Sequence, residues 1–215
     1  MSAALARAES LGEEIANSLT HGTGALLATA GLVPLVVAAA AGGGARRIVG
    51  CSVFGAALVL LYATSTLYHA LTHAPAKKVL RALDHSAIFL LIAGTYTPFT
   101  LVSLRGPWGW SIFGVVWGLA VVGVTLRLAL RRRPPALFMA IYLAMGWCVL
   151  VALHPLRHAL APSGIALLVT GGVAYSAGIA FYLWRRLRFH HAIWHGFVLL
   201  GSVFHYFAIL LHVAR

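Results

Sequence analysis

Seven stretches of this chain are apolar for long enough to cross a bilayer, and they consume most of its length. They cover residues 18–41, 48–71, 83–104, 108–130, 136–153, 165–184 and 191–213, each close to the roughly 20 residues that a spanning helix needs. Helix breakers divide them: Gly42-Gly43-Gly44, Pro75, Gly106-Pro107, Pro134-Pro135 and Pro162. Inside hydrocarbon every backbone amide and carbonyl must be bonded within the protein, which leaves helices as the element for runs of this kind. The expected fold is therefore all-α, a seven-transmembrane helix bundle in the cell membrane.

The charge supply agrees. Charged residues make up 9% of the chain, against roughly a quarter in soluble domains, so there is too little polar surface to face water on all sides. The net charge of +12 would suggest nucleic acid in a soluble protein. Here the basic residues sit in clusters between apolar runs, so no nucleic-acid partner is expected. Arg7, Lys77, Lys78, Arg81, Arg127, Arg131, Arg132, Arg133, Arg185, Arg186 and Arg188 fall on one side of a seven-span topology. Arg46, Arg47, Arg105, Arg157 and Arg215 fall on the other. The positive-inside rule then puts the N-terminus in the cytoplasm and the C-terminus outside. Glu9, Glu13 and Glu14 interrupt the N-terminus before any apolar run, unlike a signal peptide. Leu11, Ile15 and Leu19 recur every fourth residue opposite Glu13 and Glu14, so residues 1–17 read as an amphipathic interfacial segment ahead of a transmembrane domain spanning 18–215. Cys51 and Cys148 lie inside apolar runs and read as small core residues. Gly114-x3-Gly118 suggests close helix contact, and Thr95-Tyr96-Thr97-Pro98 a kink whose hydroxyls bond the freed backbone.

Against this apolar background one polar layer stands out. His191 and His195, four apart at the start of the last run, share a helical face. His69 ends the second run, and Asp84, the only acidic residue after Glu14, begins the third. The topology brings all four to the inner end of the membrane, with Ser65 one turn deeper than His69. Three neutral imidazoles are a common zinc set that leaves a fourth position open. Asp84 would then act as general base and Ser65 would orient water or a substrate carbonyl. Each residue also has a plainer reading: Asp84 as the N-cap of the third helix, His69 as an interfacial histidine, and the histidine pair as coincidence. Ionisable groups within spans are costly and usually paired or functional, which favours the set as a metal site. His85 points about 100° away from Asp84 and reads as a supporting group. Glu14-x2-Asn17-x3-His21 occupies one face of the first helix, either supporting the site or anchoring the helix.

Ser65-x3-His69, Asp84-His85 with Gly94-Thr95-Tyr96-Thr97-Pro98, His191-x3-His195 and Glu14-x2-Asn17-x3-His21 together resemble the hemolysin III branch of the progestin and adipoQ receptor family. The resemblance covers essentially the whole chain. It implies seven helices, a cytoplasmic N-terminus, and zinc held by three histidines mapping onto His69, His191 and His195, with the family's aspartate and serine at Asp84 and Ser65. It also links the chain to alkaline ceramidases in a proposed superfamily of membrane hydrolases. Three functions follow as expectations. The first is zinc-dependent hydrolysis of lipid amides or esters, with membrane lipids as substrate or ligand. The second is a pore-forming lysin, and the third a non-catalytic sensor in which zinc staples helices. No protein partner is inferred, and binding of a protein hormone is not expected, since nothing before the first run resembles the receptors' long N-terminal domain.

Overall fold

The computed structural model describes residues 9–130 and 134–215; Arg7, Arg131, Arg132 and Arg133, and the first eight residues of the N-terminal segment, lie outside them. Among the described residues the chain is all-helical, with seven helices or helix pairs long and apolar enough to span a membrane. They are α1 (Leu11–Ala41), α2 (Ala45–Ala70), α3 (Ala74–Pro98) continued by a π-helical turn (Phe99–Ser103), and α4 (Pro107–Ala129). There follow α5 (Pro135–Gly146) joined through a 3-10 turn (Cys148–Ala152) to α6 (Leu153–Ala159), then α7 (Pro162–Leu183) and α8 (His190–His212). It is a multi-pass membrane protein. Helices α1 and α2, α2 and α3, and α7 and α8 pack most extensively, and α1 also meets α8. The start of α1, the end of α2 and the start of α8 are thereby gathered at one end of the bundle.

The helix starts follow local chemistry. Ser10 and Glu13 form a capping box at α1: the Glu13 amide donates to Ser10 Oγ at 3.4 Å and the Glu13 carboxylate accepts from the Ser10 amide at 2.9 Å. Helix α1 then runs into the membrane without a break. Leu11, Ile15 and Leu19 face outward while Glu13, Asn17 and His21 are buried. Proline opens α3, α4, α5 and α7 at the first turn, where its missing N–H is no loss.

That rule corrects the expected boundary of the third helix. Pro75 starts α3 at Ala74 instead of holding the chain apart until residue 83. Asp84 therefore lies well inside a helix and caps nothing, and Lys77, Lys78 and Arg81 project from helical turns. The fifth span is also longer than its apolar run, Pro135–Ala159, because it breaks at Gly146 and resumes. The Tyr96 hydroxyl spans this break, donating to the Gly146 carbonyl at 2.8 Å and accepting from the Val149 amide at 2.8 Å. Thr95 and Thr97 each donate to the carbonyl four residues back, at 2.8 Å, before Pro98 and the π-helical turn, as expected for a proline in a spanning helix. Among the described residues the expected contact at Gly114 and Gly118 is absent: a methyl group at either would meet no neighbour within 4 Å. Close approach occurs at Gly24, where a Cβ would lie 2.6 Å from the Tyr62 ring.

Candidate metal centre

The last turn of α2 carries His69, and the first turns of α8 carry His191 and His195. Their ring centres lie 5.0 Å (69–191), 5.2 Å (69–195) and 4.6 Å (191–195) apart, and one ligand atom from each falls within 4.8 Å of the other two. For nitrogens about 2.0–2.1 Å from a tetrahedral ion, imidazole centres stand about 5 Å apart, so the spacing suits one metal.

Each ring is held by its Nδ1. His69 Nδ1 donates to Glu14 Oε2 at 2.7 Å, His191 Nδ1 lies 3.1 Å from Glu9 Oε1, and His195 Nδ1 donates to the Asn17 carbonyl at 3.3 Å. Carboxylates and carbonyls only accept, so each Nδ1 carries the proton and each Nε2 keeps its lone pair in the neutral ring. All three Nε2 atoms are buried and make no hydrogen bond. Imidazoles fastened at one nitrogen and bare at the other are the arrangement of metal-binding histidines with their outer hydrogen-bond partners. The residues therefore fit the zinc ion that the sequence resemblance implies. A second grouping, Glu9, Glu14 and His69, is already consumed by hydrogen bonding: Asn17 donates to Glu9 at 2.8 Å and Lys77 to Glu14 at 2.7 Å.

The other sequence candidates fall into place differently. Ser65 is fully buried, one turn before His69, with no hydrogen-bond partner among the described residues. Its neighbours Thr64 and Thr66 instead bond back to the carbonyls of Leu60 and Tyr62. Asp84 is buried but belongs to neither ligand group. It lines a largely apolar cavity of about 130 Å³ together with His21, Leu91, Trp194 and Val198. His21 stacks on His195 with ring centres 3.4 Å apart and presents its edge to Tyr62. Asn17 and Glu14 hold ligands, as described. His85 does not join the cluster. Its Nδ1 donates to the Arg81 carbonyl at 2.8 Å and lies 3.4 Å from Asp84 Oδ2, while its ring lines a separate recess.

Sequence reasoning missed Glu9, Glu13 and Tyr62. Glu13 Oε1 accepts from the Phe189 amide at 3.1 Å, tying the start of α1 to the left-handed residue (φ 58°) that opens α8. Tyr62 donates to Ser202 at 2.7 Å, joining α2 to α8. Signals existed: three of only four acidic residues crowd positions 9–14, and Tyr62-x2-Ser65-x3-His69 marks one helical face.

A family model described as "Haemolysin-III related" matches residues 10–206. Hemolysin-3 of Bacillus cereus is 46% identical over 201 residues, 94% of this chain and 92% of the relative. A hemolysin-3 homolog of Bacillus subtilis is 45% identical over 203 residues, 94% and 95% of the two chains. The human monocyte to macrophage differentiation factor is a more distant match, 26% identical over 171 residues, 76% of this chain and 70% of that protein. A chain matched at this identity over nearly its full length belongs to the haemolysin III family.

Proposed function

We propose that the protein is a zinc-dependent hydrolase of lipid amides or esters, working in the inner half of the membrane with its N-terminus in the cytoplasm. The carrying observation is the trio of imidazoles bare at Nε2 and fastened at Nδ1. His69, His191 and His195 would hold the ion, and three protein ligands are the pattern of catalytic, as opposed to structural, zinc. When bound, zinc supplies Lewis acidity, polarising a carbonyl and acidifying water. Asp84, outside the ligand group, accepts the proton of the attacking water and returns it to the leaving amine or alcohol. The uncommitted Ser65 hydroxyl donates to the substrate carbonyl. The apolar cavity beside Asp84 and Trp194 takes hydrocarbon and keeps bulk water away. The basic residues at the histidine end of the bundle support a cytoplasmic position for that end.

The test is Asp84→Asn in purified, zinc-loaded protein presented with ceramides and lysolipid esters. Turnover is abolished while zinc content stays at the wild-type level; unchanged turnover removes Asp84 as the base. The pore-forming reading is favoured by the names of the two bacterial relatives. A conducting path needs polar side chains along several helices, whereas two of the cavities between the spans are lined chiefly by apolar residues and a basic recess lies at the histidine end alone. Chelator-insensitive conductance in reconstituted bilayers, without lipid hydrolysis, would decide for the pore.

A further inference from the structure

At the histidine end of the bundle a second recess opens between α3, α4, α5 and the end of α7. Its volume is about 610 Å³, within the roughly 300–1,000 Å³ of pockets that hold small ligands. Lys78, Arg81 and His85 line it from α3, spaced so that they share one helical face. Arg127 enters from the last turn of α4, and Arg185 follows α7. Arg127 is only 5% exposed, and its guanidinium lies 4.9 Å over the Phe138 ring in the wall. Tyr182 also lines the wall.

Among the described residues no carboxylate lines this recess, although Asp84 Oδ2 stands 3.4 Å from the Nδ1 of His85 in its wall. The chain has four acidic residues. Glu9 and Glu14 hold imidazoles, and Glu13 binds Ser10 and Phe189. Asp84 lines the apolar cavity, whose wall of Met139 and Tyr142 is shared with the recess. Topology alone asks only for basic residues somewhere near the ends of the spans. It does not ask for a buried arginine on a helix, facing a concave space beside three other cations. Basic pockets between spanning helices at the cytoplasmic interface are suited to anionic headgroups, and the guanidinium fork matches phosphate oxygens two at a time. Leu128, 56% exposed at the rim, offers lipid-facing surface on which an acyl chain can lie.

We propose that this recess binds the phosphate of an anionic membrane lipid. The phosphate sits among Lys78, Arg81, Arg127 and Arg185, with the acyl chains outside along α4. The site requires no metal and stands independently of the hydrolase reading.

Native mass spectrometry of the purified full chain, with phosphatidylglycerol and phosphatidylcholine supplied in equal amounts, measures the selectivity of lipid retention. The triple variant Lys78→Gln/Arg81→Gln/Arg185→Gln changes only exposed side chains, and its unfolding midpoint in phosphatidylcholine checks the fold. Wild type retains phosphatidylglycerol selectively, and the triple variant loses roughly fivefold per basic side chain, on the order of a hundredfold in all. Arg186→Gln/Arg188→Gln, neutralising neighbours that do not line the recess, keeps the selectivity. Absence of selectivity in the wild type, or equal loss in the control variant, overturns the proposal. Inorganic phosphate stabilising lipid-free protein as well as phosphatidylglycerol does would assign the site to free phosphate and overturn the lipid assignment.

Discussion

Glu14→Ala tests whether the carboxylates around the histidines tune a metal site or merely cap a helix. Glu14 holds His69 Nδ1 at 2.7 Å, with the histidine side chain 1% exposed and the carboxylate 21% exposed. Removing the outer partner of a ligating histidine typically costs 10–100-fold in metal affinity. Two features put the single change at the low end, about tenfold or ~1.4 kcal/mol. Glu14 is partly solvated, and Glu9 Oε2 stands 4.0 Å from the same Nδ1, close enough to substitute. Glu9→Ala/Glu14→Ala removes the substitute and also frees His191, so the double variant should lose about a hundredfold. Lys77→Ala, which leaves Glu14 in place, should change affinity by less than about fivefold, as for other part-exposed ion pairs. The assay is competition with a chromogenic zinc chelator in detergent, with His69→Ala as the reference for a lost ligand. A double variant that binds zinc as tightly as wild type would refute the assignment of these carboxylates. Wild-type affinity in His69→Ala would refute the site.

Zinc at a hundred times its Kd should stabilise the fold by about 2.7 kcal/mol, seen as a raised unfolding midpoint that chelator reverses and His191→Ala abolishes. Gly24→Ala drives a methyl against the Tyr62 ring and should cost about 1–3 kcal/mol as overpacking. Gly114→Ala, facing open space, should be neutral or slightly stabilising in the same thermal melt. Tyr96→Phe strips both partners from the break in the fifth span; a loss of about 1–3 kcal/mol should accompany faster hydrogen exchange at the Val149 amide. Unchanged exchange there would show that the break does not depend on the hydroxyl.

That this chain is a seven-helix membrane bundle follows from its apolar run lengths and scarcity of charge, which leave no other way to bond the backbone in lipid. Spacing alone placed His191 beside His195, since a helix has one period, and paired Ser65 with His69 for the same reason. Which distant groups meet depends on how the helices pack. Pro75 looked like a stop and is a start, so Asp84 became a side chain inside a helix, facing a cavity, instead of a cap. Glu9 and Glu13 read as interruptions of the N-terminus. Packing of α1 between α2 and α8 made them partners of His191 and Phe189, a relation across some 180 residues that no local period encodes. The clustering of Arg127 and Arg185 with Lys78 and Arg81 is likewise a property of three helix ends in space. Local periodicity fixes faces, whereas the choice of neighbour for each face depends on which helices pack together.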